Sequence, residues 1–538
     1  MIDKQDNRFK SILKDNLPSD EQVRICDFIA HGIGNASIES RAGSGKSKTI
    51  ELGTLFVPED KSVLVLSYNV HIAENLRERF KERKQHIDVM TYHSLGLKIL
   101  QAKYKNIVVN DNKYRDYIHQ HLHEFNNEFD NFSNADKARY MRNIEKLLDY
   151  SRFNLMQSIK EINKMVIKYG VNIFSNECEA VRKIMKWGST NINEIDYTDM
   201  IWLPYELGIV GGIKWLSYDV IFVDEAQDSS PAQQNLINIC MKRNTRFLIF
   251  GDSFQTINAW CGSDEDAFKT FNKKPNIKQF KLNITYRCAK KIAERAREIV
   301  NDFVPSESAI EGEINYNVGF DNIKNGDMIL CRLTSPLVKL YIQLINQNKQ
   351  VYVKGYDFAN NLISLLNNFQ TNDIDEIRLG LEKNLIKCWE NCAEIYHTDL
   401  KSVVGESDVM IAYDELLTFN SLAENIKDKT ALINRINELF IEHKVDENNA
   451  IQLTTVHRAK GLESDNVYIL CPSLMPNKMA TKQWEINAEQ NILYVAITRA
   501  KKSLNFISEK LFPPEKSYSG VEDLYNEFLK IKEHCHES

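Results

Sequence analysis

Two stretches of this chain hold residues that could do chemistry together. Ala42-Gly43-Ser44-Gly45-Lys46-Ser47 combines two glycines, a lysine and a hydroxyl. The glycines let backbone N–H groups converge on phosphate oxygens, Lys46 can bridge the outer phosphates, and the Ser47 hydroxyl can ligate Mg²⁺. The second stretch is Asp224-Glu225, at the end of the apolar run Val220-Ile221-Phe222-Val223. There Asp224 can hold Mg²⁺, and Glu225 can orient and deprotonate an attacking water. Each has a plainer reading when taken alone: a solvated Gly/Ser turn for the first, a helix cap for the second. Ser40 also stands where the full Gly-x4-Gly-Lys-Ser/Thr pattern places glycine.

The elements around these stretches are what give them meaning. Ala36 and Ile38 predict a buried strand ahead of the loop, and Ile50, Leu52 and Leu55 predict a helix from about Thr49 onward. Ser62 to Ser67 is a second buried-strand run, ended by Tyr68-Asn69. Val89 to Gly96 is a second strand-to-loop event carrying Thr91 and His93. Aromatic and small polar groups at the C-terminal ends of strands suit stacking on bases and bonding to phosphates, where open α/β sheets bind ligands. Either site by itself is equally ordinary turn chemistry. Arg246 to Phe250 predicts a further strand running into Gly251 to Trp260. In that segment Gln255 could sense a γ-phosphate while Trp260 offers a stacking face. Gln22, behind a Ser19 or Asp20 helix cap, is a surface residue or a reader of the adenine edge, with one donor and one acceptor. Arg287 and Arg499, in aromatic or small-residue settings far along the chain, fit arginine fingers.

Composition sets the frame. The chain has 538 residues, 43% hydrophobic and 26% charged, which is ordinary globular material for several domains. No run approaches a membrane span and the start lacks a signal-peptide apolar region. The ten cysteines are scattered, with Cys388 and Cys392 four apart on one helix face, a pattern that suits a reducing cytoplasm. A net charge of −6 decides little, because nucleic-acid grooves are local.

Taken in order, these blocks resemble superfamily 1A DNA helicases of the UvrD/Rep/PcrA family. Gln22 matches the Q motif, Ala42 to Ser47 motif I, Ser67-Tyr68-Asn69 motif Ia and Thr91-Tyr92-His93-Ser94 motif Ib. Asp224-Glu225-Ala226-Gln227-Asp228 matches motif II, and Gly251-Asp252 with Gln255 and Trp260 matches motif III. Tyr286-Arg287 matches motif IV, His457 to Glu463 motif V, and Tyr494 to Ala500 motif VI. The resemblance implies an α/β fold of two RecA-like P-loop domains, parallel sheets flanked by helices, with two helical insertions. ATP would lie between the domains and single-stranded DNA across their tops. It further implies that Lys46, Gln255, Arg287 and Arg499 act in catalysis with Glu225 as base. Ser47 and Asp224 would hold Mg²⁺. Gln22, Ala42, Gly43, Ser44, Gly45, Lys48, Tyr286, Gly461 and Glu463 would surround the nucleotide. Tyr68, Asn69, Thr91, His93, Trp260 and His457 would meet DNA.

The expected domains are 1–105 with 191–283 (1A), 106–190 (helical 1B), 284–360 with 447–538 (2A) and 361–446 (a reduced 2B-like insertion). Three departures stand out. Lys48 replaces the motif I arginine, and Asn258 and Cys261 replace a tyrosine and an arginine of motif III. The span from motif IV to motif V is short, and little chain follows Arg499, too little for a fused nuclease. The expected activity is ATP-dependent translocation on single strands with duplex unwinding, 3′→5′ by analogy, in repair, recombination or phage defence, possessing ss/ds junctions as substrates and a partner protein such as a nuclease. A translocase without unwinding, an ATP-gated DNA-sensing subunit and a metabolic P-loop kinase are the other readings.

Overall fold

In the computed structural model the chain divides into two compact units, Met1–Thr285 and Tyr286–Ser538. The structure describes all residues except 1, 15, 69, 82, 84, 128, 133, 170–175, 212, 258–266, 274–275, 354–355, 396–397, 443–445, 447–448, 481 and 538. Asn69 and Trp260, both expected at DNA, therefore lie outside the described residues, as do Asn258 and Cys261.

The first unit is built on a six-stranded parallel sheet. Its strands are β1 (Asn35–Ser40), β2 (Val63–Ser67), β3 (Ile87–Thr91), β4 (Tyr218–Val223), β5 (Met241–Gly251) and β6 (Ile277–Leu282), in the spatial order β3-β2-β4-β5-β1-β6. Strands buried on both faces read as continuous apolar runs. The period of two nevertheless divides them: Leu64 and Leu66 enter one core while Val63 and Val65 enter the other. Ile221 and Val223 likewise part from Val220 and Phe222. The first of these cores continues into the helical segment after β3, through Ile118, Leu147, Ile184 and Trp202.

That helical segment holds a buried ionic cluster. Lys113 Nζ lies 2.7 Å from Asp199 Oδ2, and Tyr114 donates to Asp199 Oδ1 at 2.6 Å. Arg152 Nη1 reaches Asp196 Oδ2 at 2.8 Å and Asp199 Oδ1 at 3.1 Å. Asp196 and Asp199 form the capping box of the helix Tyr197–Glu206. This helix crosses Tyr92–Lys103 so closely that a Cβ on Gly96 would lie 1.8 Å from the Met200 carbonyl oxygen.

The second unit carries another six-stranded parallel sheet, of β7 (Glu313–Val318), β8 (Met328–Cys331), β9 (Val351–Val353), β10 (Ile451–Thr455), β11 (Ser464–Ile469) and β12 (Ala500–Ile507). Its order is β7-β12-β11-β8-β10-β9. The helices Ile374–Ile395 and Ser407–Ala423 share one core with this sheet and with the C-terminal helix Val521–Glu537. Trp389 packs on Phe528 at 5.3 Å, and Asp414 caps the helix Thr334–Asn346 through the N–H groups of Thr334 and Ser335. Cys388 and Cys392 sit within the first of these helices. Among the described residues no helix is long and apolar enough to cross a membrane.

Two local expectations shift. The helix after the glycine-rich loop begins at Lys46 rather than near Thr49, because Gly45 at φ +78° turns the chain straight into it. Thr91 and His93 do not lie on a loop. Thr91 and Ser94 form a capping box, so β3 passes directly into the helix Tyr92–Lys103.

Candidate functional site

The C-terminal ends of β1 and β4, with β5 between them, set the site of the first unit. After β1, Gly43 and Gly45 adopt φ +70° and +78°, a region open to glycine and strained for side chains. Lys46 opens the following helix, with its N-terminal N–H groups free of intrahelical partners. Its ammonium meets two carboxylates, Asp224 Oδ1 at 3.2 Å and Glu225 Oε1 at still closer range. Burial pushes the Lys46 pKa down, but the two carboxylates outweigh it and the net effect is a raised value, so Lys46 stays charged. For Asp224, burial is the largest influence and raises its pKa, against the pull of Lys46.

Glu225 sits at φ +52°, ψ +42°, a left-handed conformation that costs a non-glycine residue about 1–3 kcal/mol and concentrates at working sites. Its Oε2 accepts from Gln227 Nε2 at 2.6 Å. Gln227 Oε1 in turn accepts from the Asp252 N–H at 3.1 Å. Asp252 Oδ2 takes a hydrogen bond from Gln255 Nε2 at 2.8 Å, and Asp252 Oδ1 lies 3.3 Å from Arg41 Nη1. Glu225 is thus linked to Gln255 through Gln227 and Asp252, two residues inside quoted motifs to which the sequence assigned no role. Their types alone gave no signal; their side-chain directions did.

Gly251 makes that link possible. A Cβ there would lie 2.2 Å from Gln227 Oε1 and 2.6 Å from Phe268. Gly251→Ala is expected to displace Gln227, lower stability by about 1–3 kcal/mol and lower the turnover number. Urea unfolding and steady-state phosphate release measure the two effects, and an unchanged turnover number would show that Glu225 does not need Gln227.

The other expected residues of this unit fall as follows. Gln22 is buried, its Oε1 accepting from the Ser19 N–H and its Nε2 donating to Thr49 Oγ1 at 3.1 Å, which ties it to the helix of the glycine-rich loop. Lys48 pairs with Glu51 at 3.0 Å, as does Arg79. Ala42 and Ser44 are buried in the loop itself. Tyr68 is exposed at the end of β2, while His93 packs edge-on against Tyr197 with ring centres 6.1 Å apart. Burial lowers the His93 pKa, favouring the neutral ring.

The donor set suits a divalent cation. Asp224 Oδ2 is a buried carboxylate oxygen with no hydrogen-bond partner among the described residues, and Ser44 Oγ is in the same condition. Ser47 stands in the first turn of the same helix.

The second unit gathers its own group. Arg287 Nε lies 2.6 Å from Glu463 Oε2, and Arg287 Nη1 donates to the Thr498 carbonyl. Lys501 holds the other oxygen of Glu463 at 2.8 Å. Burial raises the Glu463 pKa, but Lys501 and Arg287 together bring the net value below the usual range. Arg499 is 1% exposed, donating to the carbonyls of Val495 and Leu462 at 3.1 and 3.0 Å. Burial, followed by the charge of Arg287, lowers its pKa to about 10. Gly461 takes φ +85° in the loop beside Leu462, and Tyr286 is half exposed. Lys501 is the member of this group that sequence reasoning did not single out.

The UvrD/REP helicase N-terminal domain matches residues 24–276, and the UvrD-like helicase C-terminal domain matches residues 265–510. The chain belongs to the UvrD/Rep/PcrA-type superfamily 1A helicases. Among curated relatives, an ATP-dependent DNA helicase Rep of Buchnera aphidicola is 22% identical, over 88% of this chain and 92% of that protein. An ATP-dependent DNA helicase PcrA of Staphylococcus epidermidis is 21% identical over 88% and 81%. An F-box DNA helicase protein 1 of Schizosaccharomyces pombe is 25% identical over 53% of this chain and 33% of its own length. The two parallel sheets are consistent with the paired RecA-like domains of UvrD-like helicases.

Proposed function

We propose that this helicase hydrolyses ATP at the glycine-rich loop of its first unit, is driven by single-stranded DNA, and moves on it 3′→5′ by family analogy. The observation that carries the reading is Lys46 clasped by Asp224 and Glu225 beside an unpartnered Asp224 oxygen. In this arrangement the base is masked. Oε1 of Glu225 is engaged by an ammonium, which competes with water for it. Triphosphate entering the loop offers Lys46 a stronger anionic partner, and the transfer of Lys46 to the phosphates releases Glu225 to take the proton of an attacking water.

Mg²⁺, held by Ser47 and Asp224, would supply charge neutralisation at the outer phosphates. Gln255, linked to Glu225 through Asp252 and Gln227, would report the γ-phosphate to the base. By resemblance Arg287 and Arg499 complete the charge stabilisation, while Tyr68, Thr91, His93 and His457 contact DNA. The domain division expected from the sequence belongs to the same reading, as do a cytoplasmic location, work in repair, recombination or phage defence, and a partner such as a nuclease.

Steady-state ATP hydrolysis with and without a single-stranded oligonucleotide tests this. The expected result is strong stimulation, with 3′-tailed duplexes displaced in preference to 5′-tailed ones. A rate indifferent to DNA would remove the motor and leave only the ATPase.

A further inference from the structure

The second unit contains an ion pair, Arg332 with Glu489, outside the motifs of the family resemblance. Arg332 directly follows β8, and His457 follows β10, the parallel neighbour of β8, so the two stand together at the C-terminal edge of the sheet. Burial first, and then the positive charge of Arg332, lowers the His457 pKa to about 3. Arg332 is gripped by Glu489, with Nη2 to Oε1 at 2.7 Å and Nε to Oε1 at 3.0 Å. The other Glu489 oxygen accepts from the Asn477 N–H at 2.9 Å. The carboxylate side chain is 7% exposed and that of Arg332 is 24% exposed. The carboxylate is therefore fixed from two sides, and the arginine retains an open face.

Glu489 lies mid-way along the helix Gln483–Ile497, and Arg499 lies two residues beyond the end of that helix. A helix rises about 1.5 Å per residue, so Glu489 and the helix end are about 12 Å apart along a stiff rod. Arg499 Nε is hydrogen-bonded to Val495 in its last turn. One rod thus carries a carboxylate on Arg332 at its middle and leads at its end into the buried guanidinium of Arg499.

We propose that Glu489 is a positioning residue that couples the nucleic-acid edge of the second unit to Arg499. The inference rests on the DNA-stimulated ATPase reading above. An anionic backbone arriving at the His457 edge engages the open face of Arg332 and shifts it while Glu489 keeps its hold on the fork. A fork–carboxylate contact is directional, so a shift of the arginine moves its partner and hence the helix. The effect belongs to coupling and not to binding or chemistry as such.

The test is ATP hydrolysis titrated with a single-stranded oligonucleotide, in the wild type, Glu489→Gln, Arg332→Gln and the double variant. Glu489→Gln is expected to keep the DNA-free rate, to hold the half-saturating oligonucleotide concentration, and to lose about 10-fold of the stimulated kcat. The double variant is expected to have the stimulated kcat of the lower single variant, because coupled residues are not additive. Multiplying losses overturn the inference, as does an equal fall in the DNA-free and stimulated rates. Arg332→Lys keeps the charge and loses the fork, and serves if Glu489→Gln gives little folded protein. It is expected to show the same loss, and full stimulation in it overturns the coupling. A wild type unresponsive to DNA overturns both this inference and the reading beneath it, whereas a responsive wild type with an unaffected Glu489→Gln overturns the coupling alone.

Discussion

Replacing Glu225 by glutamine is expected to lower steady-state ATP hydrolysis by about 10²- to 10⁴-fold, the usual contribution of a positioned general base. Glutamine has the size of glutamate and fits the same left-handed backbone at the same cost. It can still meet Gln227 through one end of its amide, so the fold has no reason to change. What it loses is the acceptor for the proton of water and one of the two negative charges on Lys46. With that charge gone, Lys46 is easier to draw onto phosphate, so nucleotide binding is expected to hold or tighten while turnover falls. Equilibrium titration with a fluorescent ATP analogue, beside phosphate-release rates, separates the two. Loss of binding together with rate would assign Glu225 to the scaffold of the loop, and an undiminished rate would remove it from the chemistry.

The largest expected loss of stability comes from Arg152→Met. Arg152 is 2% exposed and faces Asp196 and Asp199, the latter wholly buried, with Lys113 as the other cation of the cluster. Removing one partner from a buried ionic group leaves uncompensated charge, at a cost of about 3–5 kcal/mol. Methionine fills much of the volume, so the deficit is electrostatic and not a cavity. The loss should fall first on Lys113–Phe125, Asn134–Phe153 and Tyr197–Glu206, the helices that meet at the cluster. Hydrogen exchange read helix by helix measures it. Exchange should accelerate there while the amides of β2 and β4 keep their protection. Unchanged protection would mean that the carboxylates relax to water or protonate at little cost. Because Asp196 and Asp199 cap the helix that crosses Tyr92–Lys103 at Gly96, the same variant is also expected to weaken the setting of His93.

How much of this was legible in the sequence depends on the range over which each feature acts. The glycine pair, Lys46 and Asp224-Glu225 announced themselves because phosphate chemistry demands those types at close spacing, after a strand and before a helix. The strands followed from apolar runs, and the two helical segments from a change of pattern. Helix starts were less legible, since a capping box such as Thr91 with Ser94 is two ordinary polar residues until the backbone turns through them. Gln227 and Asp252 stood in plain view with no sign that they join Glu225 to Gln255. An amide pointing one way along a chain looks the same as one pointing another.

By itself, then, the sequence determined the parallel α/β architecture and the family, because each rests on local spacing or on order along the chain. Only the tertiary structure decided that Lys46 rests on Asp224 and Glu225, that Arg152 and Lys113 pair with buried aspartates, and that Arg332 and Glu489 meet across 157 residues of chain. The physical reason is that such contacts are made between side chains distant in sequence, whose charges interact strongly only once folding has brought them together and excluded water between them.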